Sequence, residues 1–374
     1  MKTKIINYII GLIFLIYYCI CISNSYIQLV FHKNGWYLGE WLINYQDGGF
    51  KRRGLFGSLF IFLNELTHIK LEFIVFAFIA IVYAVFFTLL IQLFIQKKNT
   101  LLTISILLLP AGMGMVLKDP TIIAKKEILI FLLYLIYFLK LESQKVIKNI
   151  TVSFFIIIAI LNHEAAFFYI PLVSFTYFVK TRAQSITKIK KILFYHLMPA
   201  TVVMLLLYKF GYSISTANSL QFLQEHGLTL ILKGIYGYDP NYNVLNFYKA
   251  HSYGYFTYLI SLFFASATFY IYCRSNKICI NKKFLTIQAI FLIPLFYVAY
   301  DWGRWINIFF TLLTIFIAGE PQLVSTLKKD ITAMVLILFN SLWKMLLFTA
   351  GFLTFPALDT IIKKLYYFIY FKLF

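Results

Sequence analysis

The sequence predicts an all-α fold: a polytopic transmembrane helical bundle of about eleven spans, with some short or re-entrant helices and one larger outer loop. Three observations carry this expectation. Of 374 residues, 61% are hydrophobic and 13% charged, against about half and about a quarter in soluble domains. The mean hydropathy is +0.81, spread over long apolar runs separated by short polar breaks. Every second break is basic, as the positive-inside rule requires of a multi-pass chain. These observations exclude a soluble enzyme, a disordered chain and a disulfide scaffold. The net charge of +20 would otherwise point to nucleic acid. Here the cations lie in clusters between apolar runs, so membrane lipid is the expected partner and nucleic acid is not.

Taken in order, Lys2 and Lys4 precede an apolar run from Ile5 to Ile22. That run is long enough to cross a bilayer. Its exit, Ser23-Asn24-Ser25-Tyr26, has no small-x-small cleavage pattern, so a retained signal anchor with a cytoplasmic N-terminus is expected. The spans are 5–23, 71–96, 100–117, 127–140, 148–162, 165–180, 192–210, 255–273, 284–300, 305–319 and 331–350. Segments 54–66 and 357–374 are shorter and amphipathic, which marks them as interfacial or re-entrant. Spans under about 17 residues are read as helices that stop short and continue as backbone lining a cavity, because irregular backbone cannot face lipid.

The inner loops of this topology hold 18 cations, from Lys2 to Lys329, opposed only by Glu142, Glu320 and Asp330. The acids Glu40, Asp47, Asp119, Glu127, Glu164, Glu225, Asp239 and Asp301 gather on the outer side. No repeat or low-complexity linker divides the chain, so 1–374 is expected to be one integral membrane domain. Its larger outer loop, 211–254, is rich in Tyr, Asn, Gly and Ser, a composition that suits sugars and equally suits a structured cap. The four cysteines form no C-x-x-C pair, and no histidine cluster has metal spacing. Neither a metal nor a cofactor is expected.

Four constellations carry candidate chemistry. The first is Tyr45-Gln-Asp-Gly-Gly-Phe-Lys-Arg-Arg-Gly54, beyond the first span. Its glycines permit tight backbone. Lys51, Arg52 and Arg53 match a pyrophosphate, because the guanidinium fork pairs with phosphate oxygens. The competing reading is a basic cluster on lipid headgroups, which the outer placement disfavours. The second is Lys118-Asp-Pro-Thr-Ile-Ile-Ala-Lys-Lys-Glu127. Lys125 and Lys126 open a helix against its dipole, which calls for an anionic ligand or for pairing with Asp119 and Glu127. The third is Asn162-His-Glu-Ala165. His163 and Glu164 form an ionisable pair at membrane depth, and Glu164 can take a proton from a sugar hydroxyl. The alternative is a polar hairpin tip. The fourth is Tyr300-Asp-Trp-Gly-Arg-Trp305, where Arg304 either pairs with Asp301 or binds phosphate with Asp301 orienting it.

The order of these motifs, Asp-Gly-Gly-Phe-Lys-Arg-Arg-Gly-Leu, Lys-Asp/Lys-Lys-Glu, His-Glu and Asp-Trp-Gly-Arg-Trp, resembles bacterial O-antigen or capsule repeat-unit polymerases of the Wzy type, over most of the chain. The resemblance implies transfer of a glycan from undecaprenyl pyrophosphate to a new lipid-linked repeat unit, at the periplasmic face of the inner membrane and without a nucleotide. It implies chain-length regulator and flippase proteins as partners. In that scheme Lys51, Arg52, Arg53 and Arg304 hold the donor pyrophosphate, and Lys125 and Lys126 assist a lipid substrate. Glu164, or else Asp47, acts as base on the acceptor hydroxyl, and His163 tunes or replaces Glu164. Asp119, Glu127 and Asp301 support the cations. The loop 211–254 contains Lys233 and Lys249 but no arginine, so no catalytic role is carried over to it. A GT-C-type membrane glycosyltransferase using a lipid-phosphosugar is the runner-up, with its acid in the first outer loop. A flippase of lipid-linked glycans or a non-catalytic scaffold completes the alternatives.

Overall fold

The computed structural model describes residues 2–97, 99–143, 149–181, 184–211, 218–237, 251–299, 301–320 and 326–345, with 246, 248, 249, 323, 363, 364, 366 and 367. Parts of the 211–254 loop, most of the 357–374 segment, Tyr300, Asp239 and several of the basic loop residues lie outside the described residues. The described chain is helical. Its β-type contacts are isolated bridges, such as that between Asn34 and Leu232.

The helices are α1 (Lys2–Tyr26), α2 (Leu38–Trp41), α3 (Gly54–Thr67), α4 (Leu71–Ile95), α5 (Leu101–Leu107), α6 (Glu127–Glu142), α7 (Asn149–Asn162) and α8 (Ile170–Lys180). They continue with α9 (Ser185–Ile192), α10 (Met198–Phe210), α11 (Ser219–Glu225), α12 (Ser252–Asn276), α13 (Lys282–Val298), α14 (Trp302–Ala318) and α15 (Leu327–Leu342). Four helical stretches are long and apolar enough to cross a membrane: Lys4–Phe31, Leu71–Ile95, Ser185–Phe210 and Ser252–Asn276.

Two elements differ from the sequence reading. The expected span 100–117 ends as a helix at Leu107, and the chain goes on as a 3-10 turn over Met113–Leu117. Leu108, Pro110 and Gly112 fall where the helix stops. The pyrrolidine ring of Pro110 leaves it no backbone N–H to donate to a helical ladder, and the backbone beyond is buried in protein, where irregular structure is tolerated. The basic stretch 185–191, expected as a loop, is helical and runs through a π turn over Leu193–Leu197 into α10.

The bundle is tied by rings and by hydrogen bonds between helices. Phe14 of α1 lies 6.0 Å from Phe87 and 5.5 Å from Phe94 of α4. The Tyr17 hydroxyl donates to Leu107 O at 2.8 Å. Asn340 of α15 donates to Ser105 O at 2.8 Å, and Tyr169 donates to Trp305 O at 2.8 Å. Lipid tails are as apolar as leucine, so packing and such bonds hold helices together in a bilayer, at about 0.6 kcal/mol per bond. Several helices meet at one charged cluster: α3, α6, α7 and α14 each bring a terminus to it.

Candidate active site

The segment between α1 and α3 folds inward instead of looping free. Trp41 is fully buried and donates its indole N–H to Ala124 O at 2.7 Å. That contact carries Glu40, on α2, into the bundle. Asn44 then builds a turn, its side-chain oxygen accepting the N–H groups of Gln46 and Asp47, each at 3.0 Å. Gly49 has φ +90°, a conformation glycine adopts without strain. Gly54 lies beneath the Tyr45 ring, where a Cβ would come within 2.3 Å of a ring carbon. Arg53 itself is left-handed, with φ +66°. Its carbonyl accepts from the buried Lys126 ammonium at 2.7 Å, so the strained turn is held from the α6 side. Ala124, one residue before Lys125, is left-handed too, at φ +62°. Strain of this kind clusters at ligand sites.

These turns assemble an ion-pair lattice around Glu40. Arg53 Nη1 lies 3.0 Å from Glu40 Oε1, and Arg304 Nη2 lies 2.9 Å from the same oxygen. Lys125 Nζ reaches Glu40 Oε2 at 3.5 Å, donates to Trp36 O at 2.6 Å and sits 4.3 Å over the Tyr37 ring. Arg53 also grips Glu164 with a fork, Nε to Oε2 at 2.8 Å and Nη2 to Oε1 at 2.7 Å. Arg304 pairs through Nε with Glu127, and its Nη1 lies 3.7 Å from Asp301 Oδ2. Arg52 is the loosest cation, 3.9 Å from Glu164 with its side chain 47% exposed.

Burial alone would raise the Glu40 carboxyl, but Arg304, Lys125 and Arg53 together outweigh it and hold it well below the usual carboxylate range. Burial pushes Glu164 upward as well, and the Arg53 guanidinium reverses this, so Glu164 is also ionised. Burial lowers Lys126 to about 7 and keeps His163 neutral. His163 Nδ1 accepts the Ala165 N–H at 3.2 Å. The imidazole proton therefore sits on Nε2, which faces Glu127 at 3.5 Å and Glu40 at 3.9 Å.

A cavity of about 400 Å³ opens on this lattice. Glu40, Arg52, Arg53, Lys125, Glu164, Asp301 and Arg304 line its charged side, and Phe168, Met204 and Leu295 line its apolar side. Of the sequence candidates, Arg52, Arg53, Lys125, His163, Glu164, Asp301 and Arg304 meet there. Lys126 and Glu127 stand behind them, holding the Arg53 carbonyl and the Arg304 fork.

Three candidates are placed elsewhere, and one changes role. Lys51 and Asp47 pair with each other in a buried contact, and Lys51 also donates to Ser219 at 3.2 Å. Neither lines the cavity, so the expected pyrophosphate contact from Lys51 and the base role for Asp47 have no geometric basis. Asp119 accepts from the Thr121 N–H at 3.0 Å and its hydroxyl at 2.6 Å, which makes it the cap of a 3-10 turn. His163 is buried, with Nδ1 accepting the Ala165 N–H, and so stands as a positioning group beside Glu164. Sequence reading noted Glu40 only among the outer acids. The available signal was a single acid inside the apolar stretch Trp36–Ile43, where an unpaired charge is not tolerated.

Among the described residues, no three His, Cys, Asp or Glu side chains converge as metal ligands. The site is therefore a cage of guanidinium and ammonium groups, each held by carboxylates, opening onto a half-apolar cavity. No family model, no curated protein and no solved structure matches this chain.

Proposed function

We propose that the protein is a membrane glycosyltransferase that moves a glycan from a polyprenyl-pyrophosphate carrier, as repeat-unit polymerases of the Wzy type do, across a bundle of about eleven spans. The supporting observation is the cavity that joins two arginine forks to an apolar wall. A pyrophosphate suits the forks, and a polyprenyl chain suits Phe168, Met204 and Leu295. An anion entering here must compete with carboxylates for the guanidinium groups. Arg52 is the cation most available, and Arg53 follows as its fork turns from Glu164 to phosphate.

In this reading the acceptor hydroxyl oxygen attacks the anomeric carbon of the donor. The carbon–oxygen bond to the pyrophosphate breaks, and the carrier pyrophosphate leaves with the electron pair. Arg52, Arg53 and Arg304 stabilise the charge that develops on it. Glu164, on the open side and released from Arg53, takes the hydroxyl proton. Glu40 stays enclosed by three cations and positions them. The undecaprenyl carrier, the periplasmic face of a bacterial inner membrane and a role in O-antigen or capsule assembly belong to the same proposal.

A second reading has a specific observation in its favour. Glu40 lies in the segment that follows α1 and is the hub of the lattice, a placement that suits a GT-C-type enzyme adding a single sugar. A surface-glycan gel of a strain lacking the gene, beside strains complemented with wild type and Arg53→Lys, separates the two. Loss of the long ladder with lipid capped by one complete repeat supports polymerisation. A repeat lacking one sugar supports the single-sugar enzyme. An unchanged ladder overturns both and leaves transport or scaffolding.

A further inference from the structure

A second cavity, of about 330 Å³, lies between α8, the α9 helix with its π turn, and α13. Its walls are apolar. Phe178 of α8, Leu197 of the turn, and Ile287 and Phe291 of α13 line it. One end is basic. Lys283 and Asn281 line that end, and Asn281 caps α13 by accepting the Lys283 N–H at 2.9 Å. Lys188 stands beside Phe178, donating to its carbonyl oxygen at 2.9 Å with the ammonium 5.0 Å from its ring. Among the described residues, no carboxylate lines the cavity. Glu142 and Glu320 are held by Lys97 and Lys180 instead.

The groove thus has cations at one end and hydrocarbon along the rest. From Lys283 to Phe291 it follows about 12 Å of helix, at 1.5 Å per residue. The adjoining α9 is amphipathic, with lysines interleaved between exposed Ile186 and Ile189. It forms the lysine-bearing end of the helical stretch Ser185–Phe210, where basic side chains meet lipid headgroups. We propose that this groove binds an anionic phospholipid, with one acyl chain along Ile287 and Phe291 and the headgroup phosphate between Lys188 and Lys283. Charge complementarity selects the occupant. A zwitterionic lipid brings a choline or ethanolamine cation to the same two lysines, and a peptide has no hydrocarbon chain to fill the groove. The inference rests on the membrane reading and is independent of the glycosyl-transfer reading, since none of these residues touches the ion-pair lattice.

Native mass spectrometry of the purified full-length protein, offered phosphatidylglycerol or phosphatidylcholine with the same acyl chains, tests it. Preferential retention of phosphatidylglycerol is expected. Lys188→Ala and Lys283→Ala should each weaken that retention roughly fivefold, while Lys188→Arg with Lys283→Arg keeps it. Lys283 is exposed and Lys188 half-buried, so the fold should survive these changes. Ile287→Trp, which fills the groove, should reduce both lipids. Equal retention of the two lipids by the wild type overturns the proposal. So does phosphatidylglycerol retention that ignores both alanine variants, or displacement of the lipid by polyprenyl phosphate in a lysine-dependent manner.

Discussion

Two charged clusters join helix ends in this protein, and both pair glutamates with cations. One surrounds Glu40 and gathers Arg53, Lys125, Glu127, His163, Glu164 and Arg304. The other gathers Lys97, Glu142, Lys180 and Glu320, with Lys97 also donating to Gly319 O at 3.1 Å. Helix α6 begins at Glu127 in the first and ends at Glu142 in the second, so about 22 Å separates them. The second cluster is simple neutralisation in partly open surroundings: its side chains are 13–25% exposed. In the first, Glu40, Glu127 and Arg304 are 5% exposed or less.

That difference decides what each cluster does. Ion pairs open to water contribute about 0–1 kcal/mol. Burying charges carries a desolvation penalty that pairing only partly offsets, and removing one partner costs about 3–5 kcal/mol. The Lys180 cluster is a fastener. The Glu40 cluster is a preorganised electrostatic cage with a cavity beside it, and an apolar packing of the same helices would be no less stable.

The comparison can be broken most readily at Glu40. Glu40→Ala leaves Arg53, Arg304 and Lys125 buried around an absent carboxylate and is expected to destabilise the protein by about 3–5 kcal/mol, read as a lowered thermal unfolding midpoint. An unchanged midpoint would mean that the cage is not buried as described. Next comes Arg53→Lys, which keeps the charge but loses the fork. Glycan product should fall roughly 100-fold at normal protein levels, and full product would remove Arg53 from the charge-stabilising role.

A third test uses pH. Lys126 titrates near 7 in the fold and about 10.4 in the unfolded chain. Between these values the unfolded chain binds the extra proton, so stability rises as pH increases from about 7 to 10. Lys126→Met should flatten that rise and lift the midpoint most at pH 7 and below. Glu40 and Glu164 are depressed instead. Their contribution is complete above the ordinary carboxylate value and lost only as pH falls through their lower folded values, so they add no slope between pH 6 and 8. A wild-type midpoint that is flat above pH 7 would show Lys126 to be charged. The smallest effect is expected at the other end: Lys180→Ala should cost about 1 kcal/mol or less and leave the glycan ladder intact. A loss of product there would erase the contrast between the clusters.

Much of the helical layout was legible in the sequence because apolar runs and basic breaks are local signals. The run at 5–23 lies within Lys4–Phe31, and that at 71–96 matches Leu71–Ile95 to within one residue. The span at 100–117 was misjudged, because its composition stays apolar after the helix stops and only burial permits the turn at Met113–Leu117. In the site, Arg53, Glu164 and Arg304 were recognisable as charges in costly places. Lys51 looked equivalent to Arg52 and Arg53, and Asp47 an alternative base in the same motif, yet a four-residue separation let the two pair with each other. Glu40 was hidden because it becomes central only through Arg53 and Arg304, 13 and 264 residues away.

The sequence by itself determined that this chain is helical, apolar and basic, and which short motifs carry charge. Those properties follow from composition and from patterns within a few residues. Only the tertiary structure decided which charges face a cavity, which neutralise one another, and which nitrogen of His163 carries the proton. These outcomes depend on Coulomb and hydrogen-bond contacts acting over a few ångströms between residues far apart in the chain, and on a burial that no single segment sets for itself.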